Sequence, residues 1–212
     1  GMLSGNHLIM KRDAEATVCH IESGEMCRVS LPDEKSRLWI SSDGKRIMTE
    51  RTVDHALELN YSDTGGSRSV TFTRDRFESG KKLSMSVLCV TNDLRKLLVQ
   101  TVSKSEKQLY IVSDNGEITK KLALSESETG ELQGQWISER QIVLLSRSKQ
   151  NGQKKDMLQM ICPDKGTTLF VLDVSAYRLP AASLILSCHD NRVCLISFEQ
   201  RESDVGWEYG NA

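Results

Sequence analysis

Aromatic residues are scarce, at 5% of 212 residues, and prolines number three. Neither sign of charge prevails: 28 Lys and Arg stand against 29 Asp and Glu, a formal net charge of −1. Such a balance supplies no excess cationic field to gather nucleic acid or anionic lipid. Long hydrophobic runs are missing too. Leu169 to Leu172 and Ile142 to Leu145 end after a few residues, far short of the ~18 to 20 apolar residues that span a bilayer. Residues 1–10 hold Leu8-Ile9-Met10 without a basic start or a long apolar segment, so no signal peptide is predicted and a cytoplasmic or nuclear setting is expected. Gly1-Met2 is set aside as a tag remnant and initiator.

The signatures of common chemistry are equally thin. The phosphate-binding G-x-x-x-x-G-K-[ST] loop, the dinucleotide G-x-G-x-x-G fingerprint and the G-x-S-x-G nucleophile elbow are all absent from the sequence. Gly65-Gly66-Ser67 is glycine-rich but lies between strand-like segments and reads as a hairpin turn. Six cysteines form no C-x-x-C pair, and Cys19, Cys89, Cys162 and Cys194 sit in apolar steps, where a reduced, buried thiol is expected. Four histidines occur, His7, His20, His55 and His189, none with a second ligand at metal-binding spacing; His20 and His55 read as strand residues and His189 as a turn residue. Cys188-His189-Asp190, with Cys194 nearby, does not make a thiol–imidazole pair, because catalytic partners arrive from distant segments. Asp33-Glu34, Glu126 and Glu128 lie in polar stretches that lack the burial acid–base work requires. No catalytic residue, metal ligand or cofactor is assigned.

A repeated phrase remains. Leu38-Trp39-Ile40-Ser41-Ser42-Asp43-Gly44-Lys45-Arg46-Ile47-Met48 is echoed by Leu88 to Val99, around Thr91-Asn92-Asp93, and by Trp136 to Leu145, around Ser138-Glu139-Arg140. Each phrase leads to a glycine turn, and Gly24, Gly65, Gly116 and Gly166 are separated by 41, 51 and 50 residues. A period of that size marks stacked or radially arranged supersecondary units. Short runs rich in β-branched and aromatic residues, bounded by Ser, Asn, Asp, Lys and Gly, predict strands throughout. Only Thr52 to Asn60 fits a short helix as well as a strand. Asp114-Asn115-Gly116 predicts a type I′ hairpin turn, with positive φ at both Asn115 and Gly116.

Units of four antiparallel strands then run over about 3–31, 36–73, 83–124, 134–174 and 182–198, the first without its opening strand and the last without its closing one, followed by a polar, flexible tail at 199–212. Segments 74–82, 125–133 and 147–155 read as exposed polar loops. The pattern resembles the WD-repeat and related β-propeller families, on the strength of Ser41-Ser42-Asp43-Gly44-Lys45, Thr91-Asn92-Asp93 and the hairpin Gln108 to Glu117. That resemblance implies an all-β array of about five blades around a central channel. Neither the Gly-His nor the Trp-Asp dipeptide of such repeats carries over onto these positions.

The function expected is a non-catalytic protein–protein interaction module or scaffold that binds a protein partner. The alternative is a propeller-type hydrolase or lactonase-like enzyme with a metal or acidic site in the channel; it is disfavoured because the inner-strand positions carry Ile40, Cys89 and Ile137. Nucleic-acid binding through Lys154-Lys155 is the third and least supported reading, since Lys81-Lys82, Arg95-Lys96, Lys120-Lys121 and Lys154-Lys155 are small basic spots set among acids.

Overall fold

The computed structural model describes residues 2–4, 7–77, 83–103, 106–122, 131–150, 152–177, 184–189, 192–197, 200–203 and 206–209. Glu126, Glu128, Lys81, Lys82, Asp190 and Asn191 lie outside them. Among the described residues helix is confined to two three-residue 3-10 turns, Arg74–Arg76 and Ser175–Tyr177. All else that is regular is antiparallel strand, and the chain divides into two compact units, Gly1–Ala123 and Leu124–Ala212.

The first unit holds three four-stranded sheets, each laid down in sequence order. Sheet 1 comprises β1 (Met2–Ser4), β2 (His7–Arg12), β3 (Glu15–His20) and β4 (Met26–Ser30). Its opening strand, expected to be missing, is the short β1, in which Met2 pairs with Ile9. Sheet 2 comprises β5 (Arg37–Ile40), β6 (Ile47–Val53), β7 (Ala56–Asp63) and β8 (Gly66–Phe72); sheet 3 comprises β9 (Ser84–Val90), β10 (Lys96–Ser103), β11 (Glu106–Ser113) and β12 (Ile118–Leu122). Thr52 to Asn60 is a hairpin, and His55, expected within a strand, forms its turn with Asp54 at φ 67° and 47°. Asp and His tolerate that left-handed backbone better than most residues.

Strand periodicity sorts the side chains. Along β5, Leu38 and Ile40 face sheet 1 and join Ile9, Ala16, Val18 and Leu31 in one buried cluster. Trp39, between them, faces sheet 3 and joins Met48, Leu57, Leu59, Phe72, Phe77, Leu97, Val99 and Tyr110 in a larger one. The two-fold alternation of a strand therefore feeds two interfaces from one tetrapeptide. Phe77 meets Phe72 and Tyr110 with ring centroids 6.0 and 4.9 Å apart, close enough for the edge-on contacts aromatic rings favour.

The second unit holds sheet 4, made of β13 (Glu131–Ser138), β14 (Gln141–Gln150), β15 (Gln153–Cys162) and β16 (Thr167–Asp173). Two two-stranded ribbons follow, β17 (Leu184–His189) with β18 (Arg192–Ser197), and β19 (Gln200–Ser203) with β20 (Gly206–Tyr209). His189 ends a strand instead of occupying a turn, and the stretch read as a polar tail contains paired strands. The region 147–155, read as a loop, is mostly ladder, with Arg147 opposite Asp156 and Gln150 opposite Gln153. Polarity misleads there because main-chain ladder bonds form whatever the polarity of the side chains they carry.

Burial of cysteine is narrower than expected. Cys89 is buried, Cys19 and Cys162 are half-buried and Cys27 is exposed; the side chain of Cys194 lies outside the described residues. The apolar run Leu169 to Leu172 on β16 is also exposed, at 40 to 52%. Among the described residues no helix is long and apolar enough to cross a membrane.

Candidate functional site

One edge of sheets 2 and 3 gathers two of the loops that carry the repeated phrase. Between β5 and β6, Ser41 Oγ donates to Asp43 Oδ1 at 2.6 Å and accepts the Arg46 N–H at 2.9 Å, while Asp43 Oδ1 accepts the Lys45 N–H at 3.1 Å. Between β9 and β10 the same loop recurs. Thr91 Oγ1 donates to Asp93 Oδ1 at 2.7 Å and accepts the Lys96 N–H at 3.0 Å, and Asp93 Oδ1 accepts the Arg95 N–H at 3.0 Å. A hydroxyl and a carboxylate two residues later thus close the turn from inside, the local chemistry by which Ser, Thr and Asp compete with regular ladders. The hydrogen bond from Ser41 holds the Asp43 carboxyl below its usual range. Burial pushes Asp93 upward, but the Thr91 hydroxyl and the Arg95 contacts outweigh it and leave that carboxyl lowered as well.

Both loops need a left-handed residue before the returning strand. Gly44 supplies it at φ 70°, and Leu94 at φ 57°. Leucine in that conformation costs roughly 1–2 kcal/mol; here the side chain is fully buried in the large cluster, and burial of a leucine offsets about that amount. The third phrase departs from the pattern. Ser138 pairs with Gln141 across a two-residue turn, and Arg140 stands where the carboxylate would be; Ser138 Oγ accepts the Arg140 N–H at 3.3 Å.

The hairpin turn between β11 and β12 is not the type I′ turn expected. Only Gly116 has positive φ, at 90°. Asn115 instead caps the turn with its side chain, accepting from Glu117 N–H at 3.0 Å and from the Ser113 hydroxyl. Gly116 N–H donates to Ser113 O at 2.9 Å, and the register shifts at Val112, the geometry of a type I turn closed by a glycine bulge. A Cβ on Gly116 would lie 2.7 Å from Val70 Cγ1, so glycine is required there by neighbour as well as by backbone.

These loops are bolted to one another. Ser42 N–H donates to Asn92 O at 2.8 Å, and Asp114 N–H to Arg95 O at 2.8 Å. The Arg46 guanidinium reaches Asp93 O at 3.2 Å, Asp114 Oδ2 at 3.0 Å and Asp63 Oδ2 at 3.6 Å. Arg68 meets the same Asp114 oxygen at 2.5 Å and lies over the Tyr61 ring at 4.8 Å. Tyr61 is buried, its hydroxyl finds no hydrogen-bond partner among the described residues, and burial, with Asp114 nearby, raises its pKa. Above this framework Ser42, Asp43, Lys45, Asn92, Asp93, Arg95 and Asn115 are exposed.

A second polar lock lies deeper, between sheets 2 and 3. Glu50 is 4% exposed; its carboxylate accepts from Val87 N–H at 2.8 Å and Trp39 Nε1 at 3.1 Å and lies 3.3 Å from Arg37. Burial raises its pKa, opposed by Arg37, the Val87 amide and Trp39. Arg37 also donates to Val87 O at 2.7 Å. Every polar partner of Glu50 is thus part of the framework, which makes it a clamp between sheets.

Two of the four histidines assigned no role are brought together. His7 and His20 pair across β2 and β3 with ring centroids 5.0 Å apart, a proximity that sequence spacing concealed. His20 Nδ1 accepts from Ser23 N–H at 3.2 Å, so that nitrogen is occupied; His7 is buried with Nδ1 unpartnered. Among the described residues no three His, Cys, Asp or Glu side chains are grouped to hold a metal. In the second unit the register sets Cys188 opposite Val193 and His189 opposite Arg192.

Four-stranded antiparallel meanders with interlocked loops along one edge are the blades of a β-propeller, and the chain has that fold. Among solved structures it is similar to the β-propeller domain of the trilobed protease from Pyrococcus furiosus, at 14% identity and TM-score 0.52 over 92% of this chain and 61% of that one. It is also similar to TolB from Acinetobacter baumannii, at 14% identity and TM-score 0.53 over 89% of this chain and 47% of that one. At such identity the likeness concerns the fold alone, and the chain spans about half to three fifths of those two propellers. No protein-family model and no curated protein matches the sequence.

Proposed function

We propose that the protein is a non-catalytic interaction module of WD-repeat-like kind, acting in the cytoplasm or nucleus, whose loop edge on sheets 2 and 3 receives a protein partner. The observation that carries this reading is the bonding of the loops to each other through Arg46, Asp114, Ser42 and Asn92. A surface held in one conformation before binding loses little entropy on association, the condition that favours specific recognition. Its carboxylates support the same view. Asp43, Asp93 and Asp114 each serve a turn or a loop-to-loop contact, while exposed side chains of both signs stand above them for a complementary surface to read.

The test is affinity capture from cell extract with the wild-type chain and with the double variant Lys45→Glu/Arg95→Glu, which inverts two exposed cations of the edge without touching its hydrogen bonds. A partner recovered by the wild type is expected to be lost, or weakened about tenfold or more, with the variant. Identical recovery by both proteins, or turnover by the wild type in a broad hydrolase screen, overturns the proposal.

A further inference from the structure

Sheets 1 to 4 each end on an outer strand, and three of those strands carry charge. β4 has Arg28, β8 has Arg68, and β12 has Lys120 and Lys121. Charged side chains on an edge strand discourage its pairing with another chain. β16 differs. Gly166 to Leu172 contains no charged residue, and every residue of β16 is exposed, the apolar Leu169, Phe170, Val171 and Leu172 included.

The main chain of β16 is as open as its side chains. Among the described residues it pairs with β15 alone. Val174 N–H donates to Asp156 O at 2.9 Å, and residues along an antiparallel strand alternate between bonding to one side and to the other. Leu172 and Phe170 therefore bond to β15, while Val171 and Asp173 turn their N–H and C=O groups away from it. The register shifts where Ile161 pairs with Thr168, which makes Leu169 an inserted residue. The straight run offered to a neighbour is thus Phe170 to Asp173. Opposed residues share a face, so Phe170 lies beside Met160 and Leu172 beside Leu158. Leu158 is buried with Val143, Leu145 and Val174, and Met160 packs against them. β16 carries that apolar face out to the rim of sheet 4.

We infer that β16 is a dimerisation strand: the Phe170 to Asp173 runs of two copies of the chain pair antiparallel about a two-fold axis at Val171. Val171 then faces its own counterpart, and Phe170 faces Leu172 of the second copy, cross-strand pairs of the kind that stabilise sheets. A closed two-fold interface needs a patch that complements itself, and charge decides which outer strand has one. The two Asp173 carboxylates fall at opposite ends of the overlap, about 13 Å apart along the strands. Each already accepts from Ser175 N–H at 2.9 Å and from the Ser175 hydroxyl. The same operation on β12 sets lysine against lysine, and on β4 or β8 it sets arginine near arginine, where like charges cost stability. A charged peptide of another protein finds no countercharge along 166–172, whereas a second copy of the chain brings none. β16 belongs to the second unit and the loop edge to the first, so this inference is independent of the proposed function.

Sedimentation velocity with the full chain over a concentration series reads the association directly. Wild type is expected to pass from monomer to dimer and no further, because the two-fold pairing uses up the edge of each strand. Val171→Pro removes an outward N–H that the ladder to β15 does not use, so it is expected to weaken dimerisation about tenfold or more while the dilute monomer stays folded by circular dichroism. Val171→Lys leaves the backbone alone and sets two ammonium groups together at the axis. It is expected to weaken the dimer by at least as much, with part of the loss recovered at high salt. Wild type that stays monomeric at every concentration, a dimer that survives either variant unchanged, or assembly beyond the dimer overturns the inference.

Discussion

The two interfaces within the first unit are built to different strengths. Sheets 2 and 3 share fifteen buried residues, the Glu50 clamp and the Arg46 network. Sheets 1 and 2 share six buried residues, with Lys11 Nζ donating to Ser36 O at 2.7 Å and to Glu34 O. Beside them His7, with one nitrogen unpartnered, lies against Gly44, where a Cβ would sit 3.0 Å from its Nε2. One repeat can therefore be reused with unequal investment. The alternation of small and large apolar residues decides how much each face buries, and polar side chains concentrate where burial is already deep, since a charge survives there only when several partners meet it.

The largest test of that contrast is core truncation. Phe72→Ala, in the richer interface, is expected to cost about 3–5 kcal/mol, and Val18→Ala, in the leaner one, about 2 kcal/mol, both read from chemical denaturation. Equal losses would erase the distinction. Next comes the clamp. Glu50→Ala leaves Val87 N–H and Trp39 Nε1 without an acceptor while Arg37 is 43% exposed and can turn to water; each buried donor left unsatisfied costs about 1–3 kcal/mol. Glu50→Gln keeps an acceptor and should cost far less.

The pH dependence of that pair of proteins has a definite sign. Burial raises the Glu50 pKa above the ordinary glutamate value, against the opposing pull of Arg37, so the folded chain holds the proton more tightly than the unfolded one. The stability this linkage contributes is present in acid and is lost as pH rises through the raised value. Denaturation midpoints measured from acidic to neutral pH should show wild type losing ground to Glu50→Gln as pH increases; a constant or opposite difference would mean that the carboxylate is well compensated. The smallest effect sharpens the comparison at its margin. Gly116→Ala demands a left-handed alanine and pushes Val70, an expected loss of about 2 kcal/mol that should lower the thermal midpoint by less than Phe72→Ala does.

Much of this was legible from residues alone, for reasons that can be named. The hydroxyl and carboxylate of Ser41 and Asp43, and of Thr91 and Asp93, act within their own loops, so their spacing announces the turn. Glu50 and Val87, or Arg46 and Asp114, are 37 and 68 positions apart, and nothing in either segment names the other. The turn at Asn115-Gly116 was misread because a hairpin signal does not show whether Asn uses its backbone or its side chain. The strand pairing over 147–155 is not legible because strand patterning rests on alternation of apolar and polar residues, and this stretch is polar throughout.

Arg46 has a consequence for timing. A single guanidinium fastened to the loops around Asp63, Asp93 and Asp114 prevents any one of them from opening while the others stay shut. Backbone amides of these three loops should then exchange with deuterium as one kinetic class, and a partner seated on any of them would slow all three together.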